Sequence, residues 1–168
     1  MSEAEFELHA VVDEDGFVAL VCPDTYSGYV SEDWTLDQVL ATFVEQMNTG
    51  ALFAVYLGPD LANASLRISD TPSTAAARRE VSGLIRVGEG GLWLTDYTQL
   101  TMAAQFSDTA PYAAHHVRMP APSGVYHVTL RQFASSYEDE LDPAAELVIR
   151  HSEIGAICPR LNAVPWFE

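Results

Sequence analysis

Five side chains in the second half of the chain have the types that proton transfer or ligand binding needs: Trp93, Asp96, His115, Tyr126 and His127. An imidazole titrates near neutrality and a carboxylate can hold or orient a proton, so a pocket lined by these five reads as a small-molecule or enzymatic site. The pattern stops short of naming a reaction. There is no GxSxG elbow, no phosphate loop and no dinucleotide fingerprint, and GEGG at 88–91 lies between two strand-like runs instead of opening a helix. His115 and His116 are neighbours in a strand-like run, where consecutive side chains face opposite ways, so the two do not grip one metal together. Asp96 reads equally well as the cap of the turn that follows it. Cys22 and Cys158 each precede a proline with no CxxC spacing, which suits two reduced thiols in a cytoplasmic protein. No cofactor and no metal are expected.

The acids say more. The 168 residues carry a formal net charge of −16. Residues 1–66 hold twelve acids and no Lys or Arg, whereas the remainder balances twelve acids against eight arginines. Such a field repels nucleic acid and attracts basic proteins at rates that fall with added salt; the alternative is acidity that serves solubility alone. Two groups of acids stand out as partner-binding candidates. Asp13, Glu14 and Asp15 form a turn before Gly16, and Phe17 to Val21 supplies none of the further ligands a calcium loop needs. Asp33, Asp37 and Glu45 lie at multiples of four residues, within an arc of about 120° on a helix. Asp33 and Asp37 suit the positive end of that helix. Glu45 lies near its negative end, where an acid is unfavourable unless an arginine or a partner answers it.

The helix in question is the best-defined element, Ser31 to Gly50. Thr35 and Gln38 make a capping box, Leu36, Val39, Leu40, Phe43 and Met47 share one side, and Gly50 follows the last turn. Around it the chain reads as strands. Residues 5–12 and 16–22 look like an antiparallel hairpin, and 80–87 with 92–96 like a second one across the glycines. Residues 51–57 are unbroken apolar, as in a central strand. Shorter runs at 65–69 and 115–119, an alternating strand at 125–133 and a strand or helical turn at 146–151 complete the set. Asp70 to Ala77 is small, polar and proline-bearing, a candidate mobile tip, and Trp166 and Phe167 predict a packed tail. The expected fold is mainly β (α+β): an antiparallel β-sandwich-like sheet with one main amphipathic helix packed on it. A single domain over 1–168 without a membrane segment is expected, since 48% hydrophobic residues suffice for a core and no apolar run approaches 18 residues.

Several of these pieces, taken in order, resemble the competence-protein-J family. They are the acidic N-terminal hairpin, DWT at 33–35 opening the helix, Gly50 before an apolar strand, GLWL at 91–94 and PSGVYHV at 122–128. The resemblance covers residues 5–133 and implies a small acidic inhibitor of a DNA-uptake nuclease; no single residue role carries over. Charge alone points to the same class. The first reading is therefore a non-catalytic acidic binding protein, an inhibitor or immunity-type partner of a basic nuclease or toxin, bacterial, monomeric or homodimeric, and not a nucleic-acid binder. The second is the His/Asp/Tyr-lined pocket. The third is a subunit of a larger assembly joined through VPWF at 164–167.

Overall fold

A computed structural model describes residues 7–13, 16–22, 35–89, 91–95, 117–119, 121–134, 143–152 and 161–167. Its strands form two sheets. The five-stranded sheet runs β1 (Glu7–Val11), β4 (Ser65–Ser69), β9 (Ala145–His151), β8 (Gly124–Gln132), β5 (Arg79–Val87). The four-stranded sheet runs β3 (Leu52–Tyr56), β2 (Phe17–Val21), β6 (Leu92–Thr95), β7 (Val117–Met119). Every pairing is antiparallel except β4 with β9. Leu66, Ile68, Ile85, Val128, Leu130, Leu147 and Ile149 of the first sheet join Leu20, Phe53, Leu92 and Leu94 of the second in one buried cluster. The mainly β, α+β expectation holds.

The single α-helix among the described residues, α1 (Leu36–Thr49), has the boundaries that its local signals predict. Thr35 accepts from the Gln38 amide while the Gln38 side chain accepts from the Thr35 amide, and Gly50 closes the last turn at φ 86°. Val39, Phe43 and Met47 are buried. The helix packs against β3 and β5, the two strands that end their respective sheets on the same side. It thereby covers a flank where unpaired strand edges would otherwise meet water.

Both expected hairpins are corrected. β1 pairs with β4 in one sheet and β2 with β3 and β6 in the other, so the acidic turn carries the chain between layers. The same holds for β5 and β6 across the glycines. Turn residues dictate that a chain reverses, not that the returning strand pairs with the one it left. Burial records the difference: β1 alternates between exposed and half-buried positions, whereas β2 is buried throughout.

β3 is also not central. Its free edge is answered by the tail, because the Tyr56 amide donates to the Pro165 carbonyl at 3.0 Å and Phe167 N–H to the Tyr56 carbonyl at 2.8 Å. The packed-tail expectation holds for Val164, at 5% exposure, but Trp166 is 45% exposed and lies against Tyr56 with ring centroids 4.0 Å apart.

Candidate functional site

The outer face of α1 presents Asp37, Ala41 and Glu45, all exposed, opposite the buried Val39, Phe43 and Met47. No basic residue lies in the last turn. The side chain of Arg86 packs beside Gly50 and its amide donates to the Gly50 carbonyl at 2.8 Å, yet among the described residues Glu45 has no ion pair. Asp33, Glu14 and Asp15 lie outside the described residues. Asp13 does not belong to a solvated turn: it is 3% exposed, and its Oδ1 accepts from the Phe17 amide at 2.7 Å. That carboxylate fixes the bend between layers instead of facing a partner.

The alternative pocket does not assemble among the described residues. Trp93 sits half-buried on β6 beneath the Arg118 guanidinium, 5.8 Å from the ring centre. Tyr126 and His127 belong to β8 in the other sheet, where adjacent side chains face opposite ways. Tyr126 is buried and its hydroxyl donates to the Pro122 carbonyl at 2.7 Å; His127 is half-buried on the other face. Asp96, His115, His116 and Cys158 lie outside the described residues. Among those described, no group of three His, Cys, Asp or Glu side chains can hold a metal.

Sequence reasoning missed the strongest polar constellation. Register aligns His9, Arg67, Glu146, Arg131 and Glu80 in one row across all five strands of the larger sheet. Glu146, at 0% exposure, is the centre of this row. Its Oε2 accepts from Arg67 at 2.8 Å; its Oε1 accepts from Arg131, from the Ser73 amide at 3.1 Å and from the Ser73 hydroxyl at 3.3 Å. The arginines are held from outside by Glu7 at 2.7 Å and Glu80 at 3.4 Å. Burial pushes the Glu146 carboxyl up, but the hydrogen bonds from Arg131, Ser73 and Arg67 outweigh it and leave the group below the ordinary carboxylate range. The arginines also grip the loop above: Arg67 donates to the Thr71 carbonyl at 3.2 Å, and Arg131 to those of Ser73 and Ala75 at 3.2 and 2.6 Å. The segment 70–77, expected as a mobile tip, is thus clasped onto the sheet. With its oxygens occupied by fixed donors, Glu146 is suited to holding structure, not to moving protons.

No protein-family model matches the chain, and no curated protein matches its sequence. Two solved structures resemble it remotely. The protein titled crocagin biosynthetic gene J is 13% identical, with 89% of this chain and 97% of that one covered and a TM-score of 0.49. ComJ from Bacillus subtilis, described as an inhibitor of the DNA-degrading activity of NucA, is likewise 13% identical, with 92% and 98% covered and a TM-score of 0.45.

Proposed function

We propose that this chain is a non-catalytic acidic binding protein that engages a basic protein, of nuclease or toxin type, through the outer face of α1. The supporting observation is Glu45. It is exposed and without an ion pair among the described residues, one residue short of the last turn, toward the end of the helix that the dipole makes unfavourable for an acid. Stability alone does not select an acid there, and a positively charged partner does. Asp37 shares the face, and the net charge of −16 extends its field. A nuclease cleft built to hold phosphates is complementary to such a surface, which steers encounter and sets specificity more than it sets raw affinity. We take the protein to act as a single domain in the cytoplasm.

The test is retention of a native-cell lysate on the immobilised chain at about 50 mM and about 500 mM salt, where the screening length differs severalfold. A basic protein should be retained at low salt and released at high salt. An Asp37→Lys/Glu45→Lys double variant should lose it at both, and the isolated protein's DNA-degrading activity should fall on adding the wild-type chain. Retention indifferent to salt and to charge reversal would sink the proposal.

A further inference from the structure

The helix covers the flank where β3 and β5 end their sheets; β1 ends the larger sheet at its opposite edge. Hydrogen bonding fixes which of its backbone groups face outward. Val12 donates to the Ala64 carbonyl at 2.9 Å and accepts from the Asn63 amide at 3.0 Å, so its groups face the β4 side. Backbone groups alternate along a strand, which turns those of Leu8 and Ala10 toward β4 and those of Glu7, His9 and Val11 away from it. β4 agrees: Ser65 accepts from the Ala144 amide at 3.0 Å on its far side, leaving Leu66 and Ile68 to bond Ala10 and Leu8 opposite them. Among the described residues no strand lies beyond β1 and no group bonds those outward amides and carbonyls. The strand, ELHAV, also lacks the proline, lysine or bulge that commonly guards an edge.

The side chains of this edge are complementary to themselves. Glu7 and His9 share the outer face, with side chains 50% and 72% exposed, and Leu8 lies half-buried on the inner face against the core. An antiparallel copy reads the same three residues backwards, which sets Glu7 opposite His9, Leu8 opposite Leu8 and His9 opposite Glu7. In that register the outward groups of Glu7 and His9 meet as hydrogen-bonded pairs, and the two Leu8 residues form the closer, non-hydrogen-bonded pair on the two-fold axis. The neighbouring registers of the same parity are poorer. One sets Glu7 opposite Glu7, a like-charge pair; the other sets His9 opposite His9 and leaves Glu7 facing Val11. Glu7 Oε1 is held by Arg67 at 2.7 Å, but Oε2 has only its own His9, at 3.4 Å, and can accept from the imidazole of a second copy. At about 0.15 M salt the screening length is about 8 Å, so the surplus acids of the two copies oppose this contact little beyond its immediate surroundings.

We propose that two copies of this chain associate through β1, antiparallel about a two-fold axis at Leu8, with Glu7 of each copy opposite His9 of the other. The contact is isologous and therefore closes at a dimer, joining the two larger sheets into one. It lies apart from the helix face and stands or falls independently of the basic-partner reading. Sedimentation velocity of the full chain from about 5 µM to about 500 µM, at about 0.15 M salt, covers the affinities of a short edge contact. The average mass should rise with concentration toward twice that of one chain and no further. His9→Pro removes an outward N–H and no bond to β4, so it should weaken association at least tenfold at an unchanged unfolding midpoint. Should that variant not fold, cross-linking decides. Across the axis the Leu8 Cα atoms lie about 4.5 Å apart, within disulfide range, so Leu8→Cys should form a covalent dimer with oxidised glutathione. His9→Cys and the wild-type chain, whose thiols are Cys22 and Cys158, should do so at least tenfold more slowly. A monomer at every concentration, a dimer untouched by His9→Pro, or cross-linking of His9→Cys in preference to Leu8→Cys overturns the assignment.

Discussion

Glu146 shows how much of this fold rests on one residue. A buried carboxylate between two arginines contributes little net stability against an apolar alternative, but removing its charge strands the cations it answers. Glu146→Gln keeps the shape and abolishes the charge, leaving Arg67 and Arg131 only their exposed outer partners Glu7 and Glu80. Urea denaturation should show a loss of about 3 kcal/mol. The pH dependence has a definite sign. A carboxyl whose folded pKa lies below the unfolded value, about 4.3, stabilises fully above that value and loses its contribution as pH falls through the folded one. Glu7 is shifted the same way, chiefly by its hydrogen bond from Arg67. Stability should therefore decline below about pH 4.3, and less steeply in the Glu146→Gln variant; parallel declines would show that the row is not the source. None of this was legible beforehand, because Arg67 lies 79 residues from Glu146 and Arg131 lies 15. As a sequence, EL at 146–147 is one acid in a short apolar run. Only the parallel β4–β9 pairing makes it a clasp.

At the scale of elements, signals contained within a few residues proved readable and those that depend on distant pairing did not. The helix carried both caps in its own sequence, and the strand at 65–69 matched its expected bounds. The alternation of β8 was legible too, and it runs on to Gln132, which is buried like Tyr126, Val128 and Leu130 before it. The two supposed hairpins failed because their turns are bends between layers. The first bend explains its residues individually: Asp13 accepts from the Phe17 amide, and Gly16, at φ 88°, donates to the Asp13 carbonyl at 3.1 Å and accepts from Leu57 at 2.7 Å. A side chain on Gly16 would run into the Gly58 backbone, which cannot move aside as a flexible side chain can. Gly16→Ala therefore combines left-handed strain with a backbone clash, and should lower the unfolding free energy by about 2 kcal/mol or more, read from denaturant midpoints. A neutral effect would mean that the bend tolerates opening and that the acidic turn is not fixed by it.

For the whole molecule, the relevant fact is that its attractive and repulsive charges lie at different depths. The favourable pairs centre on Glu146, fully buried, with Arg67 and Arg131 side chains only 18% and 14% exposed. The excess acids that give −16 include the exposed Asp37 and Glu45, with no ion pair among the described residues. Added salt shortens the screening length from about 30 Å at 0.01 M to about 3 Å at 1 M, and it acts on exposed charges far more than on buried ones. Salt should thus remove self-repulsion while sparing the row across the sheet. Raising sodium chloride from about 10 mM to about 500 mM at neutral pH should raise the thermal midpoint by a few degrees, since about 1 kcal/mol corresponds to about 2–4 °C at this size. Association with a basic partner should move the opposite way over the same range, because the charges that destabilise the free chain are those that attract the partner. This opposition separates lost binding from lost fold. A midpoint that falls with salt would mean that exposed pairs outweigh self-repulsion, and the acidic face would lose the surplus charge on which a basic partner depends.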